Sequence, residues 1–141
     1  MRILVIAVAI LAVDLATKTL AQAGMLAAGW IEATSNPDLA LGVAGASAGA
    51  ELVLGFATLL VAILLLGRLR RDPGATAAAA FVIGGSLGNL ADRLLLGSVR
   101  DFIVGPFIVF NVADVALLVG LLAVLARARH PSCILPASRP A

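Results

Sequence analysis

The stretch GGSLGNLADRLLLG, residues 84–97, closes an alanine-rich apolar run and yet carries Asn89, Asp92 and Arg93 within five residues. An ionisable side chain at the centre of a bilayer is costly, so such residues tend to mark a functional site. The stretch therefore predicts an apolar helix whose outer end contributes polar groups to a site.

The composition indicates that this helix lies in a membrane together with others. Hydrophobic residues make up 62% of the 141 positions and charged residues 13%, and the mean hydropathy is +1.11. A bilayer core of about 30 Å needs roughly 20 helical residues. Four apolar stretches approach that length: 3–21, 50–66, 75–96 and 110–126. We expect an all-α membrane protein, a four-transmembrane-helix bundle that forms a single domain over residues 1–141.

The first apolar stretch is interpreted as a retained helix and not as a cleaved signal peptide. Asp14 and Lys18 interrupt it where a signal peptide is most apolar, and three further spans follow.

Basic residues predict the orientation, because short loops rich in Lys and Arg stay in the cytoplasm. If four spans alternate, one side receives Arg2, Arg68, Arg70, Arg71, Arg127, Arg129 and Arg139, and the other receives Glu32, Asp38, Arg100 and Asp101. Both termini are therefore predicted to be cytoplasmic. The net charge of +2 reflects this bias, and we expect no nucleic-acid partner because a basic soluble face is absent.

Residues 127–141 are predicted to form a disordered cytoplasmic tail. This tail holds the single cysteine, Cys133, and the single histidine, His130. Neither an internal disulfide nor a zinc site nor a His-based nucleophile is therefore expected.

Polar residues inside three of the spans are predicted to face one another. At about 1.5 Å per residue, Asp14, Asp92 and Asp114 lie roughly 18, 30 and 20 Å from the cytoplasmic edge, in the outer half of the membrane. Helical spacing gives one polar stripe per helix: Gly85, Ser86, Asn89, Asp92 and Arg93 on the third, Asp14, Thr17 and Lys18 on the first, and Asn111 with Asp114 on the fourth. Stripes that faced lipid would remain unsatisfied, so they are expected to meet.

Small residues predict close helix packing around these stripes. Gly84 with Gly88, and Gly45 with Gly49, recur at four-residue spacing and so lie on one helix face.

Two of the acids follow an asparagine by three residues, in NLAD ending at Asp92 and in NVAD ending at Asp114. This spacing puts an amide on the same helix face as each carboxylate. Two carboxyl groups held close together in a low dielectric share a proton because they cannot both ionise. One then acts as a base toward water and the other supports the carbonyl oxygen under attack, as in aspartic peptidases. Arg93 is predicted to pair with a lipid phosphate or a loop carboxylate.

Two other functions remain open on the residues alone. Proton-coupled transporters carry acids near the midplane, often between repeats, whereas these acids cluster toward one rim and no repeat is visible. A purely structural role, in which the polar residues hydrogen-bond helices together, explains the stripes but not two Asn-x-x-Asp sets at matching depth. Asp14 and Lys18, spaced i,i+4, also fit a structural ion pair.

Four motifs together resemble signal peptidase II, the bacterial prolipoprotein signal peptidase family: DLATK in the first span, GNLADR in the third, then DFI, and FNVADVA in the fourth. The resemblance covers nearly the whole chain except the tail. It implies an aspartic endopeptidase of the bacterial cell membrane that uses two aspartates and neither a metal nor another cofactor. The expected substrates are diacylglyceryl-modified prolipoproteins, cut just before the lipidated cysteine at the extracytoplasmic face. The resemblance also implies contact with membrane lipids, inhibition by globomycin-type peptides and a monomeric enzyme.

Carried over by position, the resemblance implies Asp92 and Asp114 as the catalytic pair. It implies supporting or substrate-binding roles for Asn89, Arg93, Asn111, Ala113, Asn36, Asp14 and Lys18. A small extracytoplasmic β-cradle is expected from residues 30–44 and 99–110, which are rich enough in β-prone residues to be compatible.

The loop after the first span departs from the family pattern. The family commonly shows N-x-G-x-x-F, whereas this chain has NPDLALGV, with Asn36 in place but Asp38 and Leu41 at the other two positions. This loop is expected to touch the substrate, so the departure bears on the choice of prolipoprotein and on inhibitor fit.

Overall fold

The computed structural model describes residues 1–26, 28–36, 48–69 and 72–128. The elements in these ranges follow the order α1 (Arg2–Gln22), β1 (Ile31–Asn36), α2 (Ala48–Leu69), α3 (Pro73–Leu96), β2 (Val99–Val104), β3 (Val109–Phe110) and α4 (Val112–Ala128). Each helix coincides with one of the four predicted apolar stretches. The expectations for Asp38, Leu41, Gly45, Arg70 and Arg71, and for the tail from residue 129 with His130 and Cys133, lie outside the described residues.

Helix α3 has well-defined ends. The Asp72 side chain caps its first turn, where Oδ1 accepts a hydrogen bond from the Gly74 N–H at 2.9 Å, and Pro73 occupies the first helical position. The helix stops at Gly97, whose φ of 74° is the left-handed conformation that glycine adopts most readily. These signals place the polar stretch 84–97 in the last turns of one continuous helix.

Helix α4 differs from its predicted bounds of 110–126. Its start is later because Phe110 pairs in β3, and its end is later because Arg127 and Ala128 remain helical. Arg127 Nη1 lies 2.9 Å from each carboxylate oxygen of Asp72, which joins the end of α4 to the start of α3. Residues 127 and 128 therefore belong to the helix and not to the tail.

Two of the described helices, α1 and α3, are long and apolar enough to cross a membrane. In α2 only the stretch Gly55–Leu64 counts as a shorter apolar helix. The outward faces of the bundle carry exposed large apolar side chains, among them Leu4, Val8, Phe56, Leu118 and Leu122. Such a surface suits lipid better than water.

Helix α3 is the centre of the bundle and contacts α1, α2 and α4. Its inner faces consist mainly of alanine and glycine, so backbones approach closely. A Cβ added at Gly84 would lie 2.8 Å from the Ala7 carbonyl oxygen, and one added at Gly88 would lie 2.5 Å from Asp14 Oδ2. The predicted packing role is thus confirmed for Gly84 and Gly88, while Gly45 and the surroundings of Gly49 are not described.

A three-stranded antiparallel sheet in the order β1-β2-β3 lies beyond the helix ends that carry the polar residues. Strand β1 pairs with β2 so that Thr34 lies opposite Asp101 and Ser35 opposite Arg100. This confirms a small β-element from the two predicted segments, although residues 37–44 are not described. The sheet brings Asp101 of β2 over the polar end of the bundle.

We expect Gly84→Ala to destabilise the protein by about 1–3 kcal/mol, because the new methyl group meets backbone and Ile10 and forces α1 away from α3. Gly67→Ala is the matched control: nothing lies within 4 Å of a Cβ at Gly67, and alanine is about 1 kcal/mol the better helix former. Thermal unfolding in detergent measures both variants. Equal melting temperatures for Gly84→Ala and the unmodified protein would contradict the close-packing role.

Candidate active site

Polar side chains from α1, α3, α4 and the sheet converge at one end of the bundle. The buried polar residues in this cluster are Asp14, Lys18, Asn89, Asp92, Asp101 and Asn111. Four of them, Lys18, Asn111, Asp14 and Asp92, are the largest fully buried side chains of the described residues. Buried charge on this scale has to be paired and hydrogen-bonded.

Lys18 occupies the middle of this cluster. Its ammonium nitrogen lies 2.7 Å from Asp14 Oδ2 and 3.1 Å from Asp92 Oδ2, and it donates to Asn89 Oδ1 at 2.9 Å. Asp14 Oδ1 in turn accepts a hydrogen bond from the Ala113 N–H at 2.8 Å. The first-span motif therefore holds α1 against both α3 and α4.

Cations and a backbone N–H bind both carboxylate oxygens of Asp92. Arg100 donates to Oδ1 from Nη2 at 2.6 Å and from Nε at 3.0 Å, and its backbone N–H donates to Oδ2 at 3.1 Å. Lys18 adds the ion pair to Oδ2. The sequence predicted a second carboxyl group beside Asp92, whereas among the described residues its contacts are with Arg100 and Lys18. The assignment of Asp92 as a reacting group stays a prediction.

Asp114 lies in the first turn of α4 and forms a reciprocal cap with Asn111. The Asp114 N–H donates to Asn111 Oδ1 at 3.0 Å, and the Asn111 N–H donates to Asp114 Oδ2 at 3.2 Å. This is the geometry of a capping box, and it explains the three-residue spacing in NVAD. Asn89 Nδ2 donates to the other oxygen, Oδ1, at 2.8 Å.

The side-chain NH2 groups of the two asparagines donate to other elements and not to the acid three residues further along the chain. Asn89 contacts Asp114 on α4, although the sequence predicted that its amide would accompany Asp92. Asn111 Nδ2 donates to Asn89 Oδ1 at 3.1 Å and to Asp101 Oδ1 at 2.7 Å. A single amide therefore joins α3, α4 and β2.

Asp101 is the site residue that the analysis of the sequence did not select. It is only 4% exposed, and its Oδ2 accepts a hydrogen bond from Asn36 Nδ2 at 3.1 Å. Burial raises the pKa of Asp101, and the negative charge of Asp114 raises it further against the opposing hydrogen bond from Asn36. The signal was present in the sequence, since Asp101 begins the DFI motif, but it lay in the predicted β-cradle segment 99–110, outside the polar stripes of the helices.

The remaining predicted residues surround this group. Ala113 is fully buried, and its backbone N–H holds Asp14. Arg93 is half-buried, and its Nη1 lies 3.5 Å from the Asn89 carbonyl oxygen. Within the described ranges, no three side chains of His, Cys, Asp or Glu are arranged to hold a metal ion.

Comparison with known proteins shows that this chain is similar to lipoprotein signal peptidases. The sequence model of the family described as "Signal peptidase (SPase) II" matches residues 6–129. A lipoprotein signal peptidase of Rhizorhabdus wittichii is 37% identical over 70% of this chain, and one of Brevibacillus brevis is 37% identical over 51% of it. These alignments cover 61% and 47% of the two relatives, so the matched part of this chain spans only about half to three fifths of their length.

Two solved structures, both described as bacterial membrane enzymes determined by the in meso method, share the fold. The one at 2.3 Å resolution has a TM-score of 0.83 and 21% identity, covering 99% of this chain and 94% of that chain. The one at 1.9 Å resolution has a TM-score of 0.71 and 24% identity, covering 92% and 93%. The family match runs from α1 to the end of α4 and includes the elements that build the buried polar cluster, and the chain therefore belongs to the signal peptidase II family.

Proposed function

We propose that this protein is an aspartic endopeptidase that removes signal peptides from diacylglyceryl-modified prolipoproteins, cutting before the lipidated cysteine. The observation that carries the proposal is the pair of acids that Asn111 joins: its side-chain NH2 donates to Asp101 Oδ1 and its backbone N–H donates to Asp114 Oδ2. Membership in the family indicates a bacterial membrane protein and supports the substrate class.

Within this proposal Asp101 and Asp114 form the reacting pair, in place of Asp92 and Asp114. Among the described residues, neutral amides bind Asp101 and Asp114, so either carboxyl group can gain or lose a proton there without breaking an ion pair. Asp92, by contrast, would lose contacts with both Lys18 and Arg100 on protonation. Burial raises the pKa of Asp101 and the charge of Asp114 adds to that rise, which is compatible with two carboxyl groups that share one proton.

The reaction then follows from the shared proton. The ionised carboxylate accepts a proton from a water molecule while the water oxygen attacks the scissile carbonyl carbon. The protonated carboxyl group keeps its proton and donates a hydrogen bond to the carbonyl oxygen, on which negative charge develops. When the tetrahedral intermediate collapses, the leaving nitrogen takes a proton from the carboxyl that had accepted one from water, and the pair is ready for another cycle.

The proposal includes four membrane spans with both termini in the cytoplasm and the acids at the extracytoplasmic side. Such placement suits a substrate whose lipid-modified cysteine lies at the outer membrane surface. Interaction with membrane lipids, inhibition by globomycin-type peptides, a monomeric enzyme and chemistry without metal or cofactor belong to the same proposal.

The two alternative functions explain fewer of the contacts. A transporter needs polar groups along a path through the membrane, whereas the other half of α3 is lined by buried Ala75, Ala78, Ala79 and Ala80. A purely structural cluster explains the ion pairs of Lys18 and Arg100, but it gives no reason to bury Asp101 near a second acid.

We expect Asp101→Asn and Asp114→Asn each to lower kcat by at least about 100-fold, because general acid or base assistance is worth about 100- to 10,000-fold. The double variant should be hardly slower than either single one, since the pair acts as a unit. The assay follows release of the signal peptide from a diacylglyceryl-modified precursor in vesicles. Near wild-type cleavage by Asp101→Asn would contradict this pair and restore Asp92 as the candidate partner of Asp114.

Asp92→Asn serves as the comparison. It removes the charge shared by Lys18 and Arg100, so we expect it to lower the melting temperature more than Asp101→Asn, which disturbs only amide hydrogen bonds. A larger loss of stability in Asp101→Asn would indicate that Asp101 is the structural acid.

Topology is tested by fusing reporters after Arg71, near Asp38 and after Arg129. The asymmetry of basic residues predicts a cytoplasmic readout for the first and last fusions and an external readout for the middle one. A cytoplasmic readout near Asp38 would contradict the proposed topology, because the acids would then face away from the compartment that holds lipidated precursors.

Thiol and metal chemistry are tested separately from carboxylate chemistry. Cys133→Ser should leave cleavage of the precursor unchanged, and chelators should not inhibit, because the proposed reaction needs only two carboxyl groups and water. A large loss of activity from either treatment would contradict the metal-free aspartic mechanism.

A further inference from the structure

Arg100, at the start of β2, ties the sheet to two helices. Its Nε and Nη2 donate hydrogen bonds to Asp92 Oδ1 on α3, and its backbone N–H donates to Asp92 Oδ2. Nη1 reaches α1, where Thr19 Oγ1 and Gln22 Oε1 each lie 3.4 Å away. The side chain is 15% exposed, so most of this contact is shielded from solvent.

The neighbour of Arg100 in the chain is Asp101, and the two side chains leave the strand in opposite directions. Arg100 points to α3 and α1, whereas Asp101 points to Asn36 and Asn111. This alternation is the ordinary pleat of a strand. Because one peptide unit joins the two residues, fixing Arg100 also fixes the backbone from which the Asp101 carboxyl group projects.

The sheet needs such an anchor because it is small. Strand β3 has two residues, and β1 pairs with β2 through an irregular register between Ile31 and Thr34. Small sheets hold their position weakly without packing or a specific tether. Arg100 supplies such a tether: Nε and Nη2 both donate to Asp92 Oδ1 and the backbone N–H donates to Oδ2, and hydrogen bonds between charged groups are among the strong ones.

We propose that Arg100 is a positioning residue for the proposed peptidase reaction: by clamping Asp92 it sets the backbone of β2 so that Asp101 faces Asp114. This inference rests on the proposed function. Arg100 acts through Asp101 and does not touch the reacting atoms. Its loss therefore changes the chemical step and leaves substrate binding intact.

The experiment compares Arg100→Gln and Arg100→Lys with the unmodified protein in the precursor-cleavage assay. We expect Arg100→Gln to lower kcat by about 10- to 100-fold with KM unchanged, since small misplacements of a reacting group cost about that much. Arg100→Lys keeps the positive charge but lacks the two guanidinium donors to Asp92 Oδ1, so its kcat should lie between those of Arg100→Gln and the unmodified protein. Melting temperatures identify variants that fail to fold. If Arg100→Gln does not fold, the kcat of Arg100→Lys is compared with that of the unmodified protein instead.

Arg127→Gln is the matched control. It also removes an arginine from an ion pair between two elements, here α4 and Asp72 before α3, at the far end of the bundle from the acids. We expect it to lower the melting temperature with kcat unchanged. An equal fall in kcat for Arg127→Gln and Arg100→Gln would overturn the specific role of Arg100.

A double-variant cycle tests whether Arg100 acts through Asp92. If it does, Arg100→Gln combined with Asp92→Asn lowers kcat no more than the more severe single change, because residues in one network are not additive. Additive losses of kcat would overturn the inference that Arg100 acts through Asp92. A rise in KM with kcat unchanged would likewise overturn it, because Arg100 would then be contacting the substrate.

Hydrogen exchange separates failure of this inference from failure of the proposed function. Arg100→Gln should speed exchange of the backbone amides of Val99–Val104, and Arg127→Gln should not. If the unmodified protein does not cleave the precursor, the proposed function fails and the exchange data still decide whether Arg100 holds β2. Unchanged hydrogen exchange of the β2 amides in Arg100→Gln would overturn the inference that Arg100 holds β2 in place.

Discussion

Lys18 has three N–H donors on its ammonium group, and in the buried centre of this bundle it meets three acceptors: Asp14, Asn89 and Asp92. Breaking a buried ion pair by removing one partner costs about 3–5 kcal/mol, because the remaining charge is left uncompensated. Every partner of Lys18 then contacts another element. Asp14 reaches α4 through the backbone of Ala113, Asn89 reaches Asp114, and Asp92 reaches the sheet through Arg100. The position of the ammonium group therefore constrains each part of the site.

The six ionisable groups of the cluster divide into two sets by the chemistry of their partners. Lys18 and Arg100 pair directly with Asp14 and Asp92, so these four groups hold elements together. Amides of Asn36, Asn89 and Asn111 contact Asp101 and Asp114. An amide stabilises a carboxylate less than a cation does, and in the proposed mechanism it is the second set that exchanges a proton. The proposed function thus assigns stability and reactivity to different acids within one cluster.

Packing of the helices makes this division possible. Alanine and glycine on the inner faces of α3 let α1 and α4 approach until Asp14 lies against Gly88 and the Ala113 carbonyl lies against Gly85. At that distance the short side chains of asparagine and aspartate span the gap between helices without intervening water. Larger residues on α3 would separate the same polar groups beyond hydrogen-bond reach.

Much of this arrangement follows from local patterns along the chain. Apolar runs predict the four helices, four-residue glycine spacing predicts the tight faces at Gly84 and Gly88, and helical periodicity predicts that Asp14, Lys18, Asn89, Asp92 and Asn111 meet. These properties depend on residues within a few turns of one another, so they can be derived without knowing the fold. The partners of each acid depend on long-range placement. Asn89 serves Asp114 and not Asp92, and Asp101 enters the site from a strand that the periodicity of the helices says nothing about. A carboxyl group in a connecting segment has no helical face or depth from which to infer its neighbours, and in this protein the tether of Arg100 to Asp92 and the pairing of β1 with β2 bring Asp101 to Asp114.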